Sequence, residues 1–337
     1  MTTLSPDRRA TLSIVLAFAA IYIIWGTTYL AIRVAVDTIP PFLMAGVRFT
    51  LAGLLTFAVL RVRGVPLPRL SQWRSAFIIG GFLVVGGNGL VSWAEQQVPS
   101  GIAALVVATV PLWMALFDWL LFKGARPGKK VASGLLLGCV GIALLIGPGL
   151  FSGVTGISAA SWIILFLAPL LWSLGSLYSR QIDLPENTFM ATSTEMLAGG
   201  VLLLAAGLAT GEGARLDLAG ISTSSLFATL YLTIFGSIIA FSAYIWLLKQ
   251  VQATRVATYT YVNPVIAVFL GWAILSEPIT PTVLLGAAIV IVAVILITTR
   301  KTSASLPEMQ AASAGVKPGR LFKAVTLHPK PTDAGCD

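Results

Sequence analysis

The sequence predicts an all-α membrane protein whose ten transmembrane helices form two inverted five-helix repeats. Three observations predict it: a low charge content, ten apolar stretches of membrane-spanning length, and features of the first half that recur in the second. Charged residues make up 10% of the chain, whereas soluble domains contain roughly 25%. Hydrophobic residues reach 57%, and the mean hydropathy is +0.90. A soluble fold with this composition would expose large apolar patches, which lipid solvates well.

The charge and cysteine patterns exclude several other classes of protein. The net charge is +9, but the Lys and Arg residues lie in short clusters between apolar runs, so no nucleic acid partner is predicted. The cysteines Cys139 and Cys336 form no disulfide or metal-binding motif, and the single histidine, His328, lies near the C-terminus. The sequence therefore predicts no metal site and no cofactor.

Ten apolar stretches are long enough to cross a bilayer. A hydrocarbon core of about 30 Å requires roughly 20 residues of helix. The predicted spans lie near residues 11–32, 41–60, 75–95, 101–122, 130–147, 160–180, 188–209, 225–249, 256–275 and 281–299. Proline and glycine residues such as Pro40-Pro41 and Pro127-Gly128 separate them, as expected between helices.

The distribution of Lys and Arg predicts the orientation. One set of alternate connections holds nearly all of these residues, whereas the opposite set holds only Arg33 and Arg215. Because cytoplasmic connections carry the excess of positive charge, both termini are predicted to be cytoplasmic. Residues 1–10 form the cytoplasmic N-terminus. Residues 300–337 lack periodicity and are rich in Ala, Ser, Pro and Lys, so they are predicted to be a disordered cytoplasmic tail.

The two halves, residues 11–148 and 149–299, resemble each other at a shift of about 150 positions. The paired features are Trp25/Arg33 with Trp172/Arg180, Arg48-Phe-Thr-Leu-Ala-Gly with Glu195-Met-Leu-Ala-Gly, Ala104–Pro111 with Ala257–Pro264, and Trp119 with Trp272. Each half contains an odd number of spans, so the second half enters the membrane from the opposite side. The repeat is therefore predicted to be inverted.

Inverted repeats are typical of secondary transporters, in which solute sites lie between the repeats near the bilayer midplane. We therefore expect a transporter with a small-molecule substrate and the lipid bilayer as its surroundings. A membrane enzyme would need catalytic groups, but the spans contain no histidine and no convincing catalytic dyad. The alternative is a membrane-embedded receptor or assembly scaffold without transport activity. Its signature would be large soluble loops, whereas the longest internal connections are about fifteen residues.

Two motifs resemble a known family. The segment Tyr22-Ile-Ile-Trp25-Gly-Thr-Thr-Tyr29 resembles the opening of EamA-type members of the drug/metabolite transporter superfamily. Residues 99–111, and their echo ending in Asn263-Pro264, resemble the fourth and ninth helices of that family. The resemblance covers about residues 12–299 and implies ten helices, a location in the inner (plasma) membrane, and efflux of amino acids, metabolites or drugs. One departure is that the second half keeps Glu277 in its turn, whereas the first half has Lys123-Gly124.

Ionisable residues inside spans are costly and usually face a cavity or a partner. Arg48 and Glu195 occupy equivalent positions of the two halves with opposite charge. We expect both to face a central cavity, where Arg48 binds a substrate carboxylate or pairs with an acid. A purely structural ion pair between helices is an equal alternative. Glu195 is the candidate for proton coupling because a low dielectric favours a carboxyl group in its neutral form.

Three further polar or helix-bending features lie deep in the spans. Asn88, within a glycine-rich stretch, offers donors and acceptors to a ligand, or hydrogen bonds between helices. Pro111 and Pro264 each remove a backbone hydrogen bond, so they are candidates for bending a helix or for exposing a carbonyl group at the site. A structural kink is the simpler interpretation of both prolines. Asn263 precedes Pro264 and is predicted to bind substrate.

Aromatic residues cluster in the spans that carry the repeat. Pocket walls for an apolar, aromatic or cationic solute are one interpretation, and anchors at the membrane interface are the other. The predicted substrate-binding aromatic residues are Trp25, Tyr29, Trp93, Trp172, Tyr244 and Tyr259. By contrast, Gly134, Gly138 and Gly141 form a small-residue face in the fifth span, which serves as scaffold or as the contact of a homodimer.

Overall fold

The computed structural model describes residues 6–124, 126–152, 157–251, 256 and 258–298, and this part of the chain is helical without strands. The predicted tail, residues 300–337, lies outside the described residues, as do residues 1–5. Residues 6–298 belong to one structural unit. The all-helical class is therefore confirmed for the part of the chain that the structure describes.

The first half contains seven α-helices. They are α1 (Pro6–Ala35), α2 (Pro41–Val62), α3 (Leu70–Gly80), α4 (Leu90–Ala94), α5 (Ser100–Val107), α6 (Val110–Leu121) and α7 (Lys129–Ser152). The π-helical segment Gly81–Gly89 joins α3 to α4. Pro41 is the first residue of α2, a position where the missing N–H of proline costs no hydrogen bond.

Seven further α-helices have both ends within the described part of the second half. They are α8 (Ala159–Tyr178), α9 (Thr188–Ala209), α10 (Glu212–Arg215), α11 (Thr223–Tyr231), α12 (Ser242–Gln250), α13 (Tyr259–Leu275) and α14 (Pro281–Thr298). The π-helical segment Leu232–Phe241 joins α11 to α12. The side chains of Ser158, Asn187 and Ser222 cap the starts of α8, α9 and α11, as is usual for Ser and Asn at this position.

Among the described residues, seven helical stretches are long and apolar enough to cross a membrane. They are Thr11–Ala35, Pro41–Val62, Leu70–Ala94, Ser100–Leu121, Ala159–Tyr178, Thr188–Ala209 and Thr223–Gln250. Val262–Leu275 and Pro281–Leu296 are shorter apolar helices. The chain is therefore a multi-pass helical protein with the dimensions that a bilayer requires.

Close backbone approaches between the halves depend on glycine. Helix α2 packs against α9, and α7 packs against α14. A Cβ added at Gly53 would lie 2.8 Å from the backbone N of Leu197, and one added at Gly141 would lie 2.8 Å from Val290 Cγ2. Gly138 likewise faces Leu112. Two glycines of the predicted small-residue face therefore make contacts within the chain, on α6 and α14.

Several local features recur about 150 residues apart. The two π-helical segments are one such pair. Gly64 and Gly211, which follow α2 and α9, both have positive φ, at 80° and 77°. Lys123 and Ser276, which follow α6 and α13, are the non-glycine residues with positive φ in the described part of the chain, at 58° and 54°. The halves thus share irregular backbone features as well as helices.

The helices run from one end of the bundle to the other. We call the end with Arg33, where Ser158 N donates to Gln97 Oε1 at 2.8 Å, the Arg33 face. At the other end, the Arg180 face, Ser71 Oγ donates to Asp183 Oδ2 at 2.8 Å. Each of these hydrogen bonds joins a residue of the first half to a residue of the second.

Candidate functional site

A cavity of about 60 Å³ lies in the bundle between α1, α2, α8, α13 and the run from the first π-helical segment to α5. Six of the residues predicted to bind substrate line it: Trp25, Tyr29, Arg48, Asn88, Trp172 and Tyr259. The sequence reasoning missed the lining residues Thr28, Gly87 and Val91. Six of the nine predicted substrate-binding residues therefore converge on one place, although they come from both halves of the chain.

The aromatic rings of Trp25, Trp172 and Tyr259 line the cavity. The ring of Tyr244, which was also predicted to bind substrate, packs against all three and does not line the cavity. The ring centroid of Trp25 lies 5.7 Å from the ring centroid of Trp172, 5.1 Å from that of Tyr244 and 5.0 Å from that of Tyr259. Trp172 Nε1 donates to Tyr244 Oη at 3.2 Å, and Ser176 Oγ lies 2.9 Å from the same oxygen. The arrangement is apolar with fixed hydroxyl and indole groups, as expected of a surface that holds an aromatic or aliphatic body.

Each of the two repeat-related tryptophans packs on a glycine from the other half. Trp25 Nε1 donates to the carbonyl oxygen of Gly236 at 3.2 Å. Trp172 lies so close to Gly87 that an added Cβ would be 2.4 Å from Cε3 of the indole. Both glycines lie in π-helical segments. These segments, which widen the helix locally, occur mostly at functional sites.

Arg48 is the charged side chain in the cavity wall. It is 2% exposed, and its Nε donates to Ser237 Oγ at 2.8 Å. Its guanidinium carbon lies 4.5 Å from the ring centroid of Phe49. Nη1 has no hydrogen-bond partner among the described residues. Because an unpaired buried donor of a charged group is costly, Nη1 is available to donate a hydrogen bond to an anionic oxygen.

The two asparagines have different surroundings. Asn88 lines the cavity, and its Nδ2 donates to the carbonyl oxygen of Leu83 at 3.3 Å. Asn263 is 2% exposed. With its amide in the orientation that fits its neighbours, the nitrogen donates to the carbonyl oxygens of Tyr22 and Tyr259 at 3.0 and 3.1 Å. Asn263 therefore joins α13 to α1 and does not line the cavity.

The remaining predicted residues lie around the cavity or away from it. Trp93 is partly buried in α4 and is not a lining residue. Pro111 follows a turn at Ala108 and Thr109 that divides α5 from α6. Pro264 lies inside α13, which continues past it.

Glu195 does not pair with Arg48, and it does not line the cavity. It lies in α9, about two turns from the Arg180 face, and it is 0% exposed. Neither carboxylate oxygen has a hydrogen-bond partner in the described part of the chain. Lys249 and Tyr244 interact with it electrostatically. The expectation that Glu195 faces the cavity is therefore wrong. The alternative, an ion pair with Arg48, is not formed either, because the Glu195 carboxylate has no partner among the described residues.

The sequence places Glu95 at the end of a predicted span, but it does not reveal which groups surround this side chain. Glu95 is 0% exposed, and neither of its carboxylate oxygens has a hydrogen-bond partner among the described residues. It interacts electrostatically with Arg48, Arg33 and Glu277. The signal that could have revealed it is helical spacing, since Asn88, Val91 and Glu95 follow at intervals of three and four residues on one face.

The turn of the second half contains an acid, Glu277, that the first half lacks, and this difference also has a structural explanation. Its Oε1 and Oε2 accept hydrogen bonds from the backbone N–H groups of Ser100 and Gly101, at 2.8 and 3.1 Å. The acid of the second half therefore caps α5 in the first half. In the first half, the Asp118 carboxylate takes up the space beside Gly124, where an added Cβ would be 2.2 Å from Oδ2.

Taken together, these features define a polytopic helical membrane protein with an aromatic, arginine-bearing cavity between its two halves. Among the described residues, no group of three His, Cys, Asp or Glu side chains could hold a metal ion.

The chain belongs to the EamA-like transporter family, whose model matches residues 12–147 and again residues 159–299. It is 42% identical to the "Uncharacterized inner membrane transporter YedA" of Escherichia coli (strain K12), over 85% of this chain and 90% of that protein. It is 30% identical to the "WAT1-related protein At3g02690, chloroplastic" of Arabidopsis thaliana, over 82% of this chain and 67% of that protein.

A comparison with solved structures supports the fold. A crystal structure of a protein with 22% identity covers 85% of this chain and 97% of its own, with a TM-score of 0.59. The sequence resemblance to EamA-type transporters is therefore confirmed, and the chain is a membrane transporter of that family.

Proposed function

We propose that the chain is a secondary transporter that exports small amphipathic solutes across the inner membrane by alternating access. Amino acids, metabolites and drug-like molecules are the solute classes considered. Membership of the EamA-like family supports transport. The similarity to a protein named as an inner membrane transporter supports the location. A catalytic role is not part of the proposal.

The proposed architecture is ten spans in two inverted repeats, residues 11–148 and 149–299, with both termini in the cytoplasm. The seven long apolar runs and two shorter apolar helices, together with α7, supply the ten spans. The double match of the family model supports two repeats. Their packing does so as well, because α1 contacts the second π-helical segment and α8 contacts the first.

The single observation that carries the solute assignment is the unpartnered Nη1 of buried Arg48 in an aromatic cavity. A planar guanidinium group matches a carboxylate in geometry and charge. The rings of Trp25, Trp172 and Tyr259 would hold an apolar body beside it. The preferred solute is therefore a carboxylate with an aromatic or aliphatic body, such as an amphipathic amino acid.

The size of the cavity supports an access cycle. About 60 Å³ is room for about four water molecules, which is less than an aromatic amino acid requires. In the described conformation the cavity is thus too small for such a solute, and the helices must separate before one can enter. In the proposed cycle, the two repeats open the cavity to one face at a time, as in other carriers with inverted repeats.

Glu195 remains the proposed proton-coupling residue on the side of the Arg180 face. Its carboxylate is buried without a hydrogen-bond partner among the described residues, and Lys249 is the nearby cation. An ionised carboxylate in such surroundings is costly. Protonation and deprotonation of Glu195 would therefore accompany exposure of this side to water.

The test is counterflow of a panel of radiolabelled amino acids in proteoliposomes, with and without an inward-acid pH gradient. We expect saturable flux that responds to the gradient, and loss of that response in Glu195→Gln. Saturable flux indifferent to pH would remove Glu195 from the mechanism while leaving a carrier. Absence of flux for amino acids, other carboxylates and cationic drugs would contradict transport and favour a receptor or scaffold.

A further inference from the structure

Glu95 lies at the Arg33 end of the cavity. It follows the last residue of α4, one turn beyond Val91 and two turns beyond Asn88, and both of these line the cavity. Helical spacing therefore directs Glu95 toward the same side of the run. The side chain is fully buried, and both carboxylate oxygens lack a hydrogen-bond partner in the part of the chain that the structure describes.

Four ionisable groups surround this carboxyl group. Helix α1 contributes Tyr29 and Arg33, α2 contributes Arg48, and the turn after α13 contributes Glu277. Arg33 Nη1 donates to the backbone carbonyl oxygens of Glu95 and Gln96, at 2.8 and 2.9 Å. Helix α8 also packs against α4, but its one ionisable side chain is Tyr178, at its far end.

Two other acids, the half-buried Glu277 and the buried Glu212, have carboxylates that accept backbone hydrogen bonds, whereas Glu95 does not. Glu277 accepts two hydrogen bonds from the N–H groups that begin α5. Glu212 likewise accepts from Phe42 N at 3.2 Å and from Leu43 N at 2.9 Å, at the start of α2. Acids that cap helix starts are stabilised as anions. Glu95 has no such donors, so a structural role as a cap does not explain it.

Burial makes an ionised Glu95 costly in the described conformation. A second carboxyl group adds to this cost, because two carboxylates that interact electrostatically resist ionising together, and Glu277 interacts with Glu95 in this way. A buried anion without hydrogen bonds is also poorly solvated. The neutral acid is therefore the form of Glu95 that fits these surroundings. Arg33 and Arg48 are the cations that interact with Glu95. Arg33 Nη1 already donates to two backbone carbonyl oxygens, whereas Nη1 of Arg48 has no partner among the described residues and can pair with an ionised Glu95.

We propose that Glu95 is a second proton-binding site, distinct from Glu195, which controls whether Arg48 is available to the solute. When the Arg33 face opens to water, the Glu95 carboxyl group releases its proton to that water and its carboxylate pairs with Arg48. Uptake of a proton from the same water forms the O–H bond again and frees the guanidinium group for a solute carboxylate. One proton thus accompanies each solute anion bound. The inference rests on the proposed transport function.

The proton can be observed without any solute. Difference infrared spectroscopy of the full chain in lipid compares wild type with Glu95→Gln, a change that keeps shape and removes the acid. We expect loss of an absorption band of a protonated carboxyl group. Glu186→Gln, a change at an exposed acid of the Arg180 face, is the control and should leave that region of the spectrum unchanged. Protonated-carboxyl absorption that is the same in Glu95→Gln and wild type would overturn the proposal.

A second measurement needs no variant, which covers the case in which Glu95→Gln fails to fold. Wild-type protein is treated with dicyclohexylcarbodiimide, which reacts with protonated carboxyl groups in apolar surroundings, and peptides are examined by mass spectrometry. We expect an adduct on Glu95 and none on Glu277 or Glu212. Modification of Glu195 without modification of Glu95 would assign the proton to Glu195 alone.

Transport measurements distinguish the proposed role of Glu95 from the proposed transport function. In proteoliposomes, one proton per solute changes the apparent affinity by up to about tenfold per pH unit in the range where Glu95 ionises. Glu95→Gln should keep counterflow and lose most of this dependence. An unchanged pH dependence in Glu95→Gln would overturn the role of Glu95 while leaving transport intact. Absence of flux in wild type would instead contradict the proposed function, and the infrared result would still decide where the proton lies.

Discussion

The Nε of Arg48 donates a hydrogen bond to Ser237 Oγ at 2.8 Å, which joins α2 to the second π-helical segment. Both groups are buried. The bond holds the guanidinium group so that Nη1 is left over, without a partner among the described residues. A serine of one half therefore orients the charged group that we assign to solute binding.

Replacing this serine tests the orientation. Ser237→Ala leaves a buried Nε–H unpaired, which costs about 1–3 kcal/mol for a charged donor. We expect a lower apparent melting temperature in detergent, followed by circular dichroism, and weaker solute affinity. Ser224→Ala, at an exposed position of α11, is the control and should change stability by less than about 0.5 kcal/mol. Equal melting temperatures for the two variants would contradict the account of Ser237.

The contact between Gly87 and Trp172 makes a prediction about packing. A Cβ at Gly87 would lie 2.4 Å from the indole, so Gly87→Ala must displace a cavity wall. We expect a loss of about 1–3 kcal/mol from overpacking and a reduced rate of counterflow.

The matched control lies in the same π-helical segment. A Cβ at Gly81 would have its nearest neighbour at 3.9 Å, in the side chain of Leu202, so Gly81→Ala should retain both stability and flux. Full activity of Gly87→Ala at normal expression would mean that Trp172 can move without consequence, contrary to its assigned role.

The cap that Glu277 supplies to α5 predicts a graded series. Glu277→Ala removes both acceptors from the Ser100 and Gly101 N–H groups and should cost about 1–2 kcal/mol, the usual range for a lost cap. Glu277→Gln keeps one acceptor oxygen and should cost less. Thermal unfolding measures both variants. Glu186→Gln, an exposed acid at the Arg180 face, is the control. Alanine and glutamine variants as stable as this control would contradict the capping role.

The sequence predicted the helical class and half of the residues that line the cavity, for clear reasons. Apolar runs bounded by Pro and Gly determine where helices begin and end, because backbone groups in lipid must be paired within the helix. The repeat related Trp25 to Trp172 before any contact was visible, and the two rings lie 5.7 Å apart. Arg48 could also be predicted, because arginine is rare inside a membrane span and requires an explanation there.

Other features depend on packing that the sequence does not reveal. Glu195 and Arg48 occupy equivalent positions of the repeat, but they do not pair. Arg48 Nε donates to Ser237 Oγ, and Glu195 does not line the cavity. Glu95 looks like an ordinary residue at a span end, and its complete burial follows from the packing of α2 and α8 against α4. Asn263 was predicted to meet a ligand, and its amide instead binds two backbone carbonyl groups.

The central claim is that Arg48 in the aromatic cavity binds the solute. The most direct measurement is counterflow of the amino acid with the highest flux in the panel, compared between wild type, Arg48→Lys and the exposed control Arg61→Lys at equal amounts of reconstituted protein. Lysine lacks the planar fork of arginine. We predict about tenfold or greater loss of flux in Arg48→Lys and wild-type flux in Arg61→Lys. Wild-type flux and affinity in Arg48→Lys would contradict the account.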